Sequence, residues 1–260
     1  MVGHNEAATL GKVLEQCRAA ARSGDSVWFV DSASTDSSAA VAAEAGARVL
    51  PAPLGKGRAV AAAIARHGEG WLILVDDDVQ ESAVSIPAAL REAAARSTAD
   101  MIVGQVESPG KRRSVTPHLY EPLVRALFPE TPDLDRPLSG FRALRAGLPL
   151  RDLPGGYGIE VHLNVQVALI GGRIETLPLG DHRGPIRGYA HIGRAAREIA
   201  DALLDLATAS GRITDRTAWA AWTARVLTVI DDQPGEGVDD TAYFRALRAA
   251  AEAPLPRVDA

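Results

Sequence analysis

Apolar positions in the first half of the chain switch repeatedly between helical and extended spacing. Leu10, Val13, Leu14 and Cys17 recur at i, i+3, i+4 and i+7, one face of a helix predicted from about Glu6 to Arg22. Ser26-Val27-Trp28-Phe29-Val30 reads as a short apolar strand ending at Asp31. A polar loop from Ser32 to Asp36 leads into an Ala-rich helix, and Ala47-Arg48-Val49-Leu50 gives the next strand. Gly55-Lys56-Gly57 opens a helix running to about His67. Trp71-Leu72-Ile73-Leu74-Val75 is the most apolar strand and stops at Asp76-Asp77-Asp78. A helix near Ile86–Arg96 and a strand at Met101-Ile102-Val103 complete this half. Continuously apolar strands alternating with helices predict a parallel sheet covered on both faces.

The second half is less regular. Lys111-Arg112-Arg113 is a basic loop, Pro117 to Leu127 reads as helix, and Pro137 to Ala143 as a turn entering a strand. Leu153-Pro154-Gly155-Gly156-Tyr157-Gly158 is a glycine-rich loop before a helix to about Ile170. Arg173 to Leu179 is a strand ending at Asp181-His182-Arg183. From Ala195 onward the spacing is helical, interrupted near Gly211 and over Asp231–Asp239. No internal repeat or low-complexity linker divides the chain. The expected organisation is a catalytic domain over 1–186 and a helical C-terminal extension over 187–260, a candidate homodimer interface.

Composition narrows the class. A chain of 260 residues can bury its own core. Its 47% hydrophobic and 23% charged residues are those of a globular protein, which argues against disorder. A net charge of −5 argues against a broad nucleic-acid-binding surface. The apolar runs fall far short of the ~20 residues a membrane span needs. Cys17 is the single cysteine, and Met1 to Glu6 is neither basic nor apolar. Both features predict a cytoplasmic protein.

Ligands of open parallel α/β sheets bind beyond the carboxyl ends of the strands. Asn5-Glu6, Asp31 with Asp36, and Asp76-Asp77-Asp78 all fall at such ends or at helix starts. Paired carboxylates just past a buried strand suit Mg²⁺ or Mn²⁺ shared with substrate phosphates; the alternative is that they cap a turn or the next helix. Gly55-Lys56-Gly57 offers close backbone approach and a cation at a helix start, which suits phosphate, though alone it is equally compatible with a plain loop. His182 could complete a metal site from the far half of the chain or be a surface histidine. Glu160 could serve the site or simply favour its helix dipole.

Together these residues resemble a nucleotide-sugar-dependent glycosyltransferase of the GT-A fold. The first-half motifs, Asn5-Glu6, Val30-Asp31-Ser32-Ala33-Ser34-Thr35-Asp36, Gly55-Lys56-Gly57 and Asp76-Asp77-Asp78, are shared by many such enzymes. The second half is similar to the glucosyl-3-phosphoglycerate synthase family and its mannosyl relatives. That likeness rests on Arg136-Pro137-Leu138-Ser139-Gly140, Pro154-Gly155-Gly156-Tyr157-Gly158-Ile159-Glu160 and His182-Arg183. The resemblance implies that Glu6, Asp31 and Ser32 hold the nucleoside. Lys56 would contact the nucleotide or its phosphates, and Asp76, with Asp77 beside it, would lie by the ribose. Asp78 and His182 would ligate Mg²⁺ or Mn²⁺. Leu138, Ser139 and Gly140 would line the sugar site, and Tyr157 and Glu160 would hold donor hydroxyls. Arg112, Arg113, Thr116 and Arg183 would face the acceptor, and Asp78, Glu160 and Lys56 are the candidate catalytic residues.

The implied reaction is metal-dependent transfer, with retention, of a sugar from a nucleoside-diphosphate sugar. UDP-glucose comes first as donor and GDP-mannose second. The acceptor would be a small hydroxylated compound, 3-phosphoglycerate or a specialised-metabolite intermediate. Three departures from the family pattern, at Ser114, Phe141 and Gly184, leave the donor residues in place. Two alternatives stand beside this reading, a sugar nucleotidylyltransferase and a non-catalytic nucleotide-sugar-binding protein. The former needs a glycine-rich basic loop where this chain has Asn5-Glu6.

In GT-A enzymes the Asn-Glu pair follows a buried apolar strand, whereas only Met1 to His4 precede it here. The expectation is a truncated first strand, with translation beginning upstream or the sequence trimmed.

Overall fold

The computed structural model describes residues 1–76, 81–82, 84–107, 114–183, 189–234 and 239–259, with the backbone alone at 81, 182, 183, 189 and 190. The chain forms two compact units. The first comprises Met1–Gly110 and Asp133–Pro185, the second Lys111–Pro132 and Ile186–Ala260.

The first unit begins with β1 (Val2–Gly3), α1 (Ala7–Ala20), β2 (Trp28–Ser32), α2 (Ser38–Glu44), β3 (Arg48–Ala52) and α3 (Lys56–Arg66). β1, β2 and β3 lie side by side and parallel, with Val2 opposite Val30 and Asp31 opposite Pro51. Next come β4 (Trp71–Leu74), β5 (Glu81–Ser82), α4 (Ile86–Arg96) and β6 (Met101–Glu107). The unit resumes with β7 (Arg142–Arg145), α6 (Ile159–Leu169) and β8 (Ile174–Arg183), α5 (Glu121–Leu127) belonging to the second unit. These five strands are ordered β4-β7-β6-β8-β5. A parallel bridge between Val2 and Asp76 joins β1 to the end of β4.

Alternation along the strands separates two apolar layers. Phe29 faces Leu10, Val13 and Leu14 of α1 and Ile86 and Leu90 of α4. Its neighbour Val30 faces Ala59, Val60 and Ala63 of α3 and Ile159 and Leu163 of α6. The predicted helix face of α1 is therefore the buried one, and the sheet is covered on both sides as expected.

One detail differs from the sequence reading and another sharpens it. The sheet is parallel over β1–β3 and between β6 and β8, but β7 runs antiparallel to both its neighbours and β5 antiparallel to β8. The alternation of Phe141 and Ala143 against Arg142 and Leu144 fits either direction, so strand direction was not written in the pattern. The strand read over Arg173–Leu179, ending at Asp181-His182-Arg183, runs through all three of those residues, because Gly180 and Asp181 pair with β6 and His182 and Arg183 with β5.

A cavity of about 530 Å³ opens between β2 and β4, lined by Met1, Trp28, Val30, Trp71 and Ile73 among others. None of the predicted site residues lines it.

In the second unit a π-helical turn (Thr116–Tyr120) leads into α5 (Glu121–Leu127), which accompanies α7 (Tyr189–Ala209), α8 (Arg216–Asp231) and α9 (Thr241–Ala251). The unit thus takes in residues 111–132 besides the expected extension. Arg212 ties the two stretches. It donates to the Leu127 carbonyl at 2.6 Å, pairs with Glu130, and stacks 5.0 Å from the Phe128 ring centroid. Asp215 caps α8 by accepting from the Thr217 amide at 2.7 Å. Among the described residues no helix is long and apolar enough to cross a membrane.

Candidate functional site

The ends of β1, β2, β3 and β4 fall at one edge of the first unit, because β1–β3 are parallel and the Val2–Asp76 bridge gives β4 the same direction. Asp31 is the penultimate residue of β2, and Glu6, Lys56 and Asp76 follow within a few residues of the ends of β1, β3 and β4, where a parallel sheet exposes a crevice.

The centre of the arrangement is an ionic cluster. The Lys56 ammonium lies 2.7 Å from Glu160 Oε1 and 3.2 Å from Asp76 Oδ1. Lys56 and Asp76 are mostly shielded and Glu160 is buried. Burial alone would lower the affinity of Lys56 for its proton. The two carboxylates outweigh that effect and hold the ammonium well above the usual lysine range. The cluster carries a net charge of −1 when all three groups are ionised, so it would welcome a cation beside it.

Glycines make this convergence possible. A Cβ on Gly57 would lie 1.9 Å from the Pro154 carbonyl oxygen, and one on Gly55 would lie 2.3 Å from that of Gly155. The Arg58 amide donates to the Gly155 carbonyl at 3.1 Å. The Gly55-Lys56-Gly57 turn is therefore packed backbone to backbone on the Pro154–Gly158 loop. That contact sets Lys56 beside Glu160, in the first turn of α6. The sequence implied close approach to a phosphate at these glycines; the approach in the structure is to the chain's own loop. Gly140 is similarly required: a Cβ there would lie 2.2 Å from Asp76 Oδ1.

The Pro137–Gly140 turn is anchored by a residue the sequence reading passed over. Arg142, only 1% exposed, donates from Nε to the Ser139 carbonyl at 2.8 Å and from Nη2 to that of Pro137 at 2.7 Å. Its Nη1 donates to Asn164 Oδ1 at 2.6 Å, and Asn164 Nδ2 donates to the same Pro137 carbonyl at 3.0 Å. A charged residue at a strand start reads as solvated, so only the partner on α6 could have revealed it.

The residues expected on the nucleoside side are held by their neighbours. The Asp31 carboxylate accepts from the Ser34 amide at 3.1 Å. Ser32 is buried, and its hydroxyl accepts from the Gly55 amide at 2.9 Å, tying β2 to the Lys56 turn. Glu6 accepts from the Thr9 hydroxyl at 3.1 Å. Asn5 takes a left-handed conformation, φ 57°, and its side-chain oxygen accepts from the Thr35 amide at 2.7 Å. Asp36 is kept below the ordinary carboxylate range, mainly by hydrogen bonds from Ser38.

Within the first unit, Leu138 and Tyr157 are half-buried and Ser139 is buried. Thr116 belongs to the second unit, buried in its π-helical turn. His182 and Arg183 are backbone members of β8. Asp77, Asp78, Arg112 and Arg113 lie outside the described residues.

The family described as glycosyl transferase family 2 matches residues 1–145. Compared with curated protein sequences, the chain has no significant match. Solved structures are similar over most of the chain. Glucosyl-3-phosphoglycerate synthase from Mycobacterium tuberculosis with Mn²⁺, UDP-glucose and phosphoglyceric acid superposes with a TM-score of 0.69 at 24% identity, covering 80% of this chain and 78% of that one. The same enzyme with Mg²⁺ and UDP gives a TM-score of 0.69 at 25% identity, covering 78% and 76%. Its complex with Mn²⁺, UDP-glucose and glycerol 3-phosphate gives 0.66 at 23% identity, covering 78% and 77%. The fold is that of the GT-A enzymes.

Proposed function

The chain belongs to glycosyltransferase family 2, and on that premise we propose that it transfers a hexose, with retention, from a nucleoside-diphosphate sugar to a small hydroxylated acceptor. UDP-glucose is the first donor to try and GDP-mannose the second. The acceptor would be 3-phosphoglycerate or a specialised-metabolite intermediate. The observation that carries this reading is the Lys56–Asp76–Glu160 cluster at the carboxyl ends of parallel strands, with Gly140 pressed against Asp76. The similar synthase structures, with UDP-glucose and phosphoglyceric acid or glycerol 3-phosphate bound, support it.

The donor set suits a divalent metal. The segment carrying Asp77 and Asp78 starts at Asp76, beside Lys56, and ends at Glu81 and Ser82, paired to Arg183 and His182. Asp78, through a carboxylate oxygen, and His182, through an imidazole nitrogen, would hold Mg²⁺ or Mn²⁺, which suit such oxygen and nitrogen donors. Bound there, the ion would neutralise charge on the departing nucleoside diphosphate.

The remaining roles belong to the chain. Glu6, Asp31 and Ser32 would hold the nucleoside, and Asp76, with Asp77 next in sequence, the ribose side. Lys56 fixes the directions of Asp76 and Glu160 and offers its charge to the phosphates. Leu138, Ser139 and Gly140 would wall the sugar, with Tyr157 and Glu160 on its hydroxyls. Arg112, Arg113, Thr116 and Arg183 would receive an anionic acceptor. Attack of the acceptor hydroxyl on the same face as the departing phosphate, with the hydroxyl proton passing to the leaving phosphate oxygen as the anomeric C–O bond breaks, retains configuration and needs no enzymic nucleophile.

Purified protein should hydrolyse or transfer from its donor only with Mn²⁺ or Mg²⁺, and Asp78→Ala should lose at least about 100-fold in kcat. Product anomers are read by NMR. Full turnover in excess chelator would overturn the proposal. A thermal-shift panel of nucleotide sugars selects the donor, since a ligand at 100 times its Kd adds about 2.7 kcal/mol to stability.

A further inference from the structure

We propose that Arg142 and Asn164 are a positioning pair that holds the Pro137–Gly140 turn in register with the Lys56–Asp76–Glu160 cluster and so sets the fit of the donor's sugar. This rests on the reading of that turn as the sugar wall.

Three observations converge on it. First, the guanidinium fork reaches both ends of the turn's start: Pro137 and Ser139 carbonyls each accept from it, and Pro137 also accepts from Asn164. A planar fork fixes direction in a way a flexible ammonium does not. Second, Asn164 and Glu160 stand one helical turn apart on α6, so they share a face. One of them holds the turn and the other holds Lys56. Any shift of α6 would therefore move the sugar wall and the ionic cluster together. Third, Arg142, Gly140, Lys56, Asp76 and Glu160 line one small cavity of about 10 Å³, so the anchor and the cluster adjoin.

Stability alone is a poor reason for such a pair. Arg142 sits at the edge of an apolar layer beside Met101, and its Nη1 lies 3.5 Å from the Met101 sulfur. Buried ionic or polar groups can often be replaced by apolar side chains of similar volume without loss of stability. What an apolar side chain cannot supply is a set of directed bonds to two carbonyls of one turn.

The test uses the full chain with Mn²⁺ and two variants, Asn164→Leu and Arg142→Lys. Four quantities are read: Tm, Kd for UDP, and KM and kcat for UDP-glucose or whichever nucleotide sugar the wild type turns over. We expect kcat/KM for the nucleotide sugar to fall about 10- to 100-fold in Asn164→Leu. Its UDP affinity per folded protein should stay within about twofold, because UDP lacks the group the turn contacts, while its Tm falls, since the buried Arg142 guanidinium loses its acceptor on Asn164. Arg142→Lys should fall in the same direction but less. Parallel losses in UDP affinity and in kcat/KM, or losses that vanish once corrected for folded protein, would overturn the pairing as a positioning device and leave the glycosyltransferase reading standing. A folded wild type that neither binds UDP nor turns over any nucleotide sugar would overturn both.

Discussion

An ammonium fixed between two carboxylates responds to mutation and pH differently from one facing water. Lys56 is in that position, and removing its charge leaves Asp76 and Glu160 facing each other in a shielded site. Breaking a buried pair from one side costs about 3–5 kcal/mol; Lys56 keeps some exposure, so Lys56→Met should destabilise by about 3 kcal/mol. The folded protein holds the Lys56 proton more tightly than the unfolded chain does. Its contribution is therefore fully present below the unfolded value of about 10.4 and is lost as pH rises through the folded value. The gap in urea midpoint between wild type and Lys56→Met should stay level from about pH 7 to 10 and narrow only above that. A gap that closes below about pH 9 would mean that the pairing in solution is weaker than this geometry requires. Gly57 gives a second test at this scale. Its missing Cβ makes room for the Pro154 carbonyl, so Gly57→Ala forces two backbones apart and should cost about 3 kcal/mol. Gly68→Ala, where a Cβ meets nothing within 4 Å, should stay within about 0.5 kcal/mol and serves as the control.

Elements were legible wherever one face met the core. The α1 stripe of Leu10, Val13 and Leu14 is a period, and a period survives into three dimensions. The run from Trp71 to Val75 announced a buried strand because both of its faces are covered. What spacing does not carry is which element meets which. Nothing in the sequence spacing says that β7 slips antiparallel between β4 and β6, or that two residues, Glu81 and Ser82, extend β8 through His182. The candidate site divides the same way. Lys56, Asp76 and Glu160 were each visible as polar residues at strand ends or helix starts, since an apolar strand that stops at a charge marks an edge. Their convergence depends on the packing of two glycine-rich loops, Gly55–Gly57 and Pro154–Gly158, which belong to different parts of the chain. Arg142 was hidden because a charge beside a turn looks solvated, and its partner Asn164 lies on a different element, α6, 22 residues further along the chain.

At the scale of the chain, residues 111–132 interrupt the first unit in sequence yet belong to the second in space. The reason is apolar area. Leu119, Leu123, Leu127 and Phe128 are all 0% exposed, and the described helices packed against α5 and its π-helical lead include α7, α8 and α9. Fully burying one such side chain is worth about 1.5–3 kcal/mol, so the four together contribute about 6–12 kcal/mol. Arg212 adds a directed bond to the Leu127 carbonyl and an ion pair to Glu130. A chain ended at residue 186 keeps every residue proposed for the donor side but strips these side chains of α7–α9. It should lose soluble yield, bind a hydrophobic dye, and give a broad, low-amplitude melt in place of a cooperative transition. The comparison to run is dye binding and thermal unfolding of residues 1–186 against the whole chain at equal concentration. If the shorter chain melts cooperatively without dye binding, residues 111–132 find their cover within the first unit, and the C-terminal helices act as an appendage to a self-sufficient domain.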